Sequence, residues 1–126
     1  MSQTIKDTQY KQVADTIRQQ IGFWNFAAVG ARDFLYGSEE RGSLSFHANI
    51  LPFTKTGKRS GCARIMDVKI VCTFSDTYTV TVTYKRASEI VTHYTASNIY
   101  ADQIGRVILA LDYDGEEVTN PRYWEN

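Results

Sequence analysis

Residues 73 to 84 read TFSDTYTVTVTY, and the second half of this stretch constrains the fold more than any other part of the chain. Successive side chains of a strand point to opposite sides, so Thr77, Thr79, Thr81 and Thr83 share one face while Tyr78, Val80, Val82 and Tyr84 share the other. Strict alternation of this kind is a strand signal, and it predicts a sheet with an apolar side and a hydroxyl-bearing side. β-branched threonine suits a strand and offers its hydroxyl to water or to a partner. The run from Arg64 to Phe74 alternates in the same way, with Met66, Val68, Ile70, Cys72 and Phe74 apolar and Asp67, Lys69 and Thr73 among the opposite positions. The dipeptide SD between the two runs predicts a β-hairpin, although the turn lacks the usual glycine.

Two further strands follow from the same rule. GSLSFHANI sets Leu44, Phe46, Ala48 and Ile50 against Ser43, Ser45, His47 and Asn49, and a strand over about Glu89 to Tyr94 follows the short connection RAS. The segment FWNFAAV, Phe23 to Val29, is too short and too aromatic for a second amphipathic helix. It predicts a buried strand that continues irregularly through ARDFLYG.

Helical spacing occurs twice. Tyr10, Val13, Ala14, Ile17 and Ile21 fall on one helical face between Asp7, a capping residue, and Gly22, a terminator. Near the other end Tyr100, Ile104, Val107, Ile108 and Leu111 form a second such face, with Ser97 or Asn98 as cap and Asp102 in the first turn. The expected fold class is therefore α+β: an antiparallel sheet of about five strands, with an N-terminal and a C-terminal helix packed on one face. The threonine face is then the uncovered one. The chain of 126 residues fits a single domain over 1–126, with about 115–126 as a tail that Tyr123 and Trp124 can pin to the body.

Composition excludes several function classes. Lysine and arginine number 14 and aspartate and glutamate also 14, so no global field steers nucleic acid and any charge-driven contact must be local. An aromatic content of 13%, with eight tyrosines, favours an aromatic contact surface or tyrosines at the rim of the sheet. No apolar run is long enough to span a membrane, and MSQTIKDTQYK is polar where a signal peptide is apolar, so a cytoplasmic location in the host cell is expected. Cys62 and Cys72, on one strand, would lie roughly 33 Å apart at about 3.3 Å per residue, far beyond the reach of a disulfide.

The residues that carry chemistry do not assemble into a recognised motif. His47 and His93 have no cysteine, histidine or carboxylate at metal spacing, so no metal is expected. No serine sits in a nucleophile elbow, and the glycines form no phosphate-binding fingerprint, so no catalytic residue and no cofactor is expected. Asp112, Asp114, Glu116 and Glu117 lack the calcium-loop pattern and read as a solvated acidic turn. An enzyme would need a dispersed site, with His47, His93 and Asp76 converging from different strands.

The loop TKTGKRSGCAR offers Lys55, Lys58, Arg59 and Arg64 on a glycine-containing segment, suited to a local phosphate contact or to an acidic partner. Together with Tyr36 and the hydroxyls of Thr79, Thr81 and Thr83, these are the candidate binding residues. Tyr78, Tyr84 and Tyr94 are expected in the core, on the apolar face of their strands.

Four segments, WNFAAVGARDFLY, LSFHANI, SDTYTVTVTYKR and IYADQIGRVI, resemble in that order a group of small proteins encoded by bacteriophages and other mobile elements. That group carries a GA[KR]N[FL] element, then LSF, a strand ending in MDTYD[VM]xF, and a terminal VYADQL helix. The resemblance spans roughly residues 15 to 112. Departures are Arg32 and Asp33 where the group has lysine and asparagine, Thr79 in place of a second acid, and additions from Leu51 to Gly61 and past Tyr113. The group has no settled catalytic activity, so the resemblance implies context alone: an accessory protein acting beside inhibitors of host restriction or CRISPR systems. The expected function is a noncatalytic binding protein that contacts a host protein or protein complex. The alternative is a nucleic-acid-binding accessory protein using the basic loop, and a homodimer through the uncovered sheet face is a third way to hide it.

Overall fold

The alternating runs pair into one antiparallel meander. The computed structural model describes residues 2–52 and 61–111. Its strands are β1 (Arg32–Gly37), β2 (Gly42–Ile50), β3 (Arg64–Cys72), β4 (Tyr78–Arg86) and β5 (Glu89–Ile99), hydrogen-bonded in chain order. The helices are α1 (Ser2–Ile21), α2 (Phe23–Ala28) and α3 (Ile104–Ala110). The α+β class, the five antiparallel strands and the helices near both ends are as the patterning predicts.

All the helices gather on one side because only one side of the sheet is apolar. Leu44, Phe46, Ala48 and Ile50 of β2 line up with Met66, Val68 and Ile70 of β3 and with Tyr78, Val80, Val82 and Tyr84 of β4. Against this surface pack Ala14, Ile17 and Ile21 of α1 and Ile104, Val107 and Ile108 of α3. Burying such side chains supplies about 1.5–3 kcal/mol each, and this removal of apolar surface from water holds the layers together. Tyr78, Tyr84 and Tyr94 lie in the core, as their alternation requires.

Three expectations need correction. Phe23–Ala28 is a helix, not a strand, since only Phe26 and the following Val29 turn inward, three residues apart. A short apolar run satisfies both periods, and here α1 is broken from α2 at Gly22, whose φ of 86° is easy only without a Cβ. The last helix begins at Ile104, so Ser97 and Asn98 are strand residues rather than caps and Tyr100 is exposed. Asn98, at φ 59°, instead serves the irregularity between Tyr78 and Val80 where β4 meets β5. Finally, α1 starts at Ser2, ahead of Asp7.

The predicted hairpin is present, and its glycine-free turn is made by an aspartate. Asp76 adopts φ 65°, its N–H donates to Thr73 O at 3.0 Å, and Thr73 N–H donates to Thr77 O at 2.8 Å. This is the three-residue hairpin loop closed by a left-handed residue, a role aspartate tolerates better than most side chains. Both edge strands of the sheet carry register shifts, in β1 between Arg32 and Leu35 and along β5 at two places. Such bulges twist an edge away from further pairing. No helix among the described residues is long and apolar enough to cross a membrane.

Candidate functional site

The face of the sheet opposite the helices carries the polar residues. Thr79, Thr81 and Thr83 stand half-buried along β4, flanked by Asp67 and Lys69 on β3 and by Thr92, Thr95 and Ser97 on β5. Thr79 Oγ1 lies 3.5 Å from Ser97 Oγ, and Thr81 Oγ1 lies 3.5 Å from Thr95 Oγ1. These contacts are long for hydroxyl hydrogen bonds, so the row keeps most of its bonding capacity for what lies above it.

A groove of about 390 Å³ runs beside this row, walled by Asp33, Leu35, His47, Asp67, Lys69 and Thr81. The bulge in β1 builds one of its walls. Asp33 takes φ 59°, which turns its carboxylate to the open face, while the next residue, Phe34, turns inward against Phe26 and Phe46. Leu35 then returns to the open face opposite Ser45 and is 70% exposed.

His47 is bracketed by two carboxylates. Its Nδ1 lies 3.0 Å from Asp33 Oδ2 and its Nε2 lies 2.8 Å from Asp67 Oδ1, the latter pair facing directly across the β2–β3 ladder. Both ring nitrogens are therefore engaged. Among the described residues no group of three His, Cys, Asp or Glu side chains is arranged to hold a metal ion.

At the other end of this face Glu39 folds over the sheet, accepting from Ser43 Oγ at 2.7 Å and pairing with the Lys69 ammonium. The Lys69 and Ser43 contacts hold its carboxyl at about 2, down from its ordinary 4.5, against an opposing push from burial. A depressed carboxylate contributes stability that is complete above its unfolded value and is lost as pH falls toward the folded one. Because Glu39 is partly exposed, solvent screening limits the contribution to about 0.5–1 kcal/mol. The expected result for Glu39→Gln is thus a small stability deficit in urea melts at neutral pH. That deficit fades as wild type and variant are titrated below about pH 4.

The sequence-derived binding residues do not form one surface. Thr79, Thr81 and Thr83 lie together on the open face, but Tyr36 pairs with the core residue Leu44 and so points to the helix side of edge strand β1. Arg64 is the first residue of β3 rather than a loop cation. Its guanidinium sits 5.3 Å from the Tyr84 ring and its Nη1 donates to Lys85 O at 3.4 Å. Lys55, Lys58 and Arg59 lie outside the described residues, as do the acidic cluster at 112–117 and the tail to residue 126.

The dispersed triad does not converge. Three strand spacings separate β2 from β5, about 14 Å between His47 and the row of His93. Asp76 belongs to the β3–β4 turn, where it pairs with Arg41 at 2.8 Å. What the sequence did not reveal is the Asp33–His47–Asp67 bracket. Its aspartates are recognisable as neighbours of His47 only once the bulge in β1 and the β2–β3 register are known.

A second cleft of about 720 Å³ lies between α1 and the β3–β4 turn, lined in part by Tyr10, Thr16, Gln20, Arg41, Phe74 and Tyr78. The Tyr78 hydroxyl donates to Gln20 Oε1 within it. Burial pushes the Cys72 thiol up, which disfavours the reactive thiolate at this position. No protein-family model, curated protein or solved structure matches the chain.

Proposed function

We propose that this chain is a noncatalytic binding protein that applies the open face of its sheet to a protein partner. In line with the mobile-element proteins it resembles, that partner is a component of a host defence system, of the anti-CRISPR or anti-restriction target type. The observation that carries this reading is the hydroxyl row of Thr79, Thr81 and Thr83 beside a groove in which Leu35 stands 70% exposed. Hydroxyls with unspent bonding capacity on one margin of a groove and an exposed aliphatic side chain on the other are suited to protein contact.

In the observed arrangement each His47 nitrogen faces a carboxylate of its own chain rather than the groove space, which supports binding over catalysis, because a general base needs a nitrogen open to substrate. On this face Lys69 is paired with Glu39 and Arg32 with Asp33, so among the described residues no unpaired row of cations is offered to a phosphate backbone there, which favours a protein over a nucleic acid.

The test is affinity capture from host cells with the full chain and with a Leu35→Asp, Thr81→Arg double variant. Exposed and half-exposed substitutions of this kind alter stability by about 0.5 kcal/mol each, so the melting temperature should hardly move. The expected outcome is loss of the captured protein with an unchanged fold by circular dichroism. Capture that survives the double variant, or that nuclease treatment or moderate salt abolishes, would refute the proposal in favour of another surface or of nucleic acid.

A further inference from the structure

We infer that the Asp33–His47–Asp67 bracket is a proton-operated latch that fastens edge strand β1 to the middle of the sheet. The argument begins with donor supply. An ionised aspartate only accepts hydrogen bonds, and a neutral imidazole has one N–H and one lone pair, so only the imidazolium can donate to both carboxylates at once. His47 Nδ1 stands 3.0 Å from Asp33 Oδ2 and Nε2 stands 2.8 Å from Asp67 Oδ1. Loss of one ring proton therefore converts one of the two contacts into a lone pair facing a carboxylate.

The two arms are unequal. Asp67 sits opposite His47 in the regular β2–β3 ladder, and its strand has a hydrogen-bonded neighbour on each side. Asp33 sits in the bulge of a six-residue edge strand at φ 59°. An edge-strand bulge at positive φ is held by fewer backbone contacts than a regular central ladder, so the Asp33 arm is the one that yields. When it yields, β1 loosens between Arg32 and Leu35, and the groove wall that Asp33 and Leu35 form moves away from β2.

The surrounding charges leave the ring as the group that operates the latch. From β1 the ring faces Asp33 and, behind it, Arg32, whose Nε is 3.8 Å from Asp33 Oδ2. From β3 it faces Asp67 and Lys69, and Lys69 is held by Glu39, which stays ionised throughout the neutral and mildly acidic range. The neighbouring groove residues of β4 are Thr81 and Thr83, without charge, and the helices lie on the other side of the sheet. Histidine is the side chain whose charge ordinarily changes within this range. The latch is a property of the chain alone and does not depend on the identity of any partner.

Amide hydrogen exchange on the full chain tests it, with protection factors corrected for intrinsic rates at about pH 5.5 and about pH 8. Exposed ion pairs of this type are modest, so β1 protection relative to β3 should be about three- to five-fold higher at the lower pH. In His47→Gln the β1 ratio should be the same at both pH values. Asp33→Asn, which keeps a residue tolerant of positive φ, should flatten the pH dependence as well and serves if the glutamine variant folds poorly. Equal β1 protection in the wild type at the two pH values overturns the inference, and so does a pH ratio that persists in either variant.

Discussion

Phe46→Ala is expected to lower the stability of the chain by about 3–5 kcal/mol, the range for removing a buried aromatic ring. Phe46 is 2% exposed, and it stands where four elements meet. Its ring meets Phe26 of α2 edge-on at 5.3 Å and Phe34 of β1 at 5.5 Å, and those two rings meet each other at 5.1 Å. From α1 the Arg18 guanidinium closes the cluster, 4.3 Å from the Phe34 ring. Alanine at this place leaves a ring-sized void between stiff neighbours and forfeits two aromatic contacts worth about 0.5–1.5 kcal/mol each beyond their buried area. A domain of this size is stable by about 5–15 kcal/mol, so the loss is a large share of the total. Urea unfolding measures it, as a lower midpoint with an unchanged slope. A loss under about 1 kcal/mol would mean that the three-ring cluster does not anchor β1 and α2.

That cluster also shows why part of the molecule was legible in the sequence and part was not. The β3–β4 hairpin was legible because a short loop limits the register: with the three-residue loop centred on Ser75, Cys72 must meet Tyr78 and Asp67 must meet Thr83. The alternation then sorts every side chain to one face or the other, and the hydroxyl face follows from Thr79, Thr81 and Thr83 without further information. The β2–β3 register was not legible. The connection between Ile50 and Arg64 is long, so nothing local says that His47 lies across from Asp67.

Bulges hid the rest of the site. One extra residue in β1 reverses the facing of everything on one side of it, which is why Asp33 and not Phe34 reaches His47. In β5 the same device keeps Thr92, Thr95 and Ser97 on the hydroxyl face although their spacing is not strictly alternating. That irregular spacing, with the helix-compatible residues after it, suggested a helix where the strand continues. FWNFAA failed for a different reason. A run this short is compatible with either period, and tertiary packing of Phe26 and Val29 decided the outcome.

Gly42→Ala is expected to be nearly as damaging as loss of the aromatic ring, for the opposite reason: it adds one atom where α1 crosses the start of β2. Gly42 is buried at φ 133°, a backbone region that residues with a Cβ rarely enter. A Cβ built there would lie 3.0 Å from Val13 Cβ, 3.1 Å from Val13 Cγ1 and 3.5 Å from Tyr10 Cα. None of these atoms is the free end of a flexible side chain. Val13 is branched and stiff about χ1, and Tyr10 Cα is helix backbone, so α1 itself must shift outward and unseat Ala14 and Ile17 from the sheet. Overpacking of this kind costs about 1–3 kcal/mol and the backbone conformation about 1–3 more, for a total of about 2–6 kcal/mol. The two contributions separate in a double-mutant cycle with Val13→Ala. Trimming Val13 should return the overpacking part and leave the backbone part, so the Gly42→Ala penalty is expected to fall by about 1–2 kcal/mol in the trimmed background. Strict additivity of the two substitutions would locate the whole cost in the φ of residue 42. It would also remove the close approach of α1 as the reason for a glycine at this position.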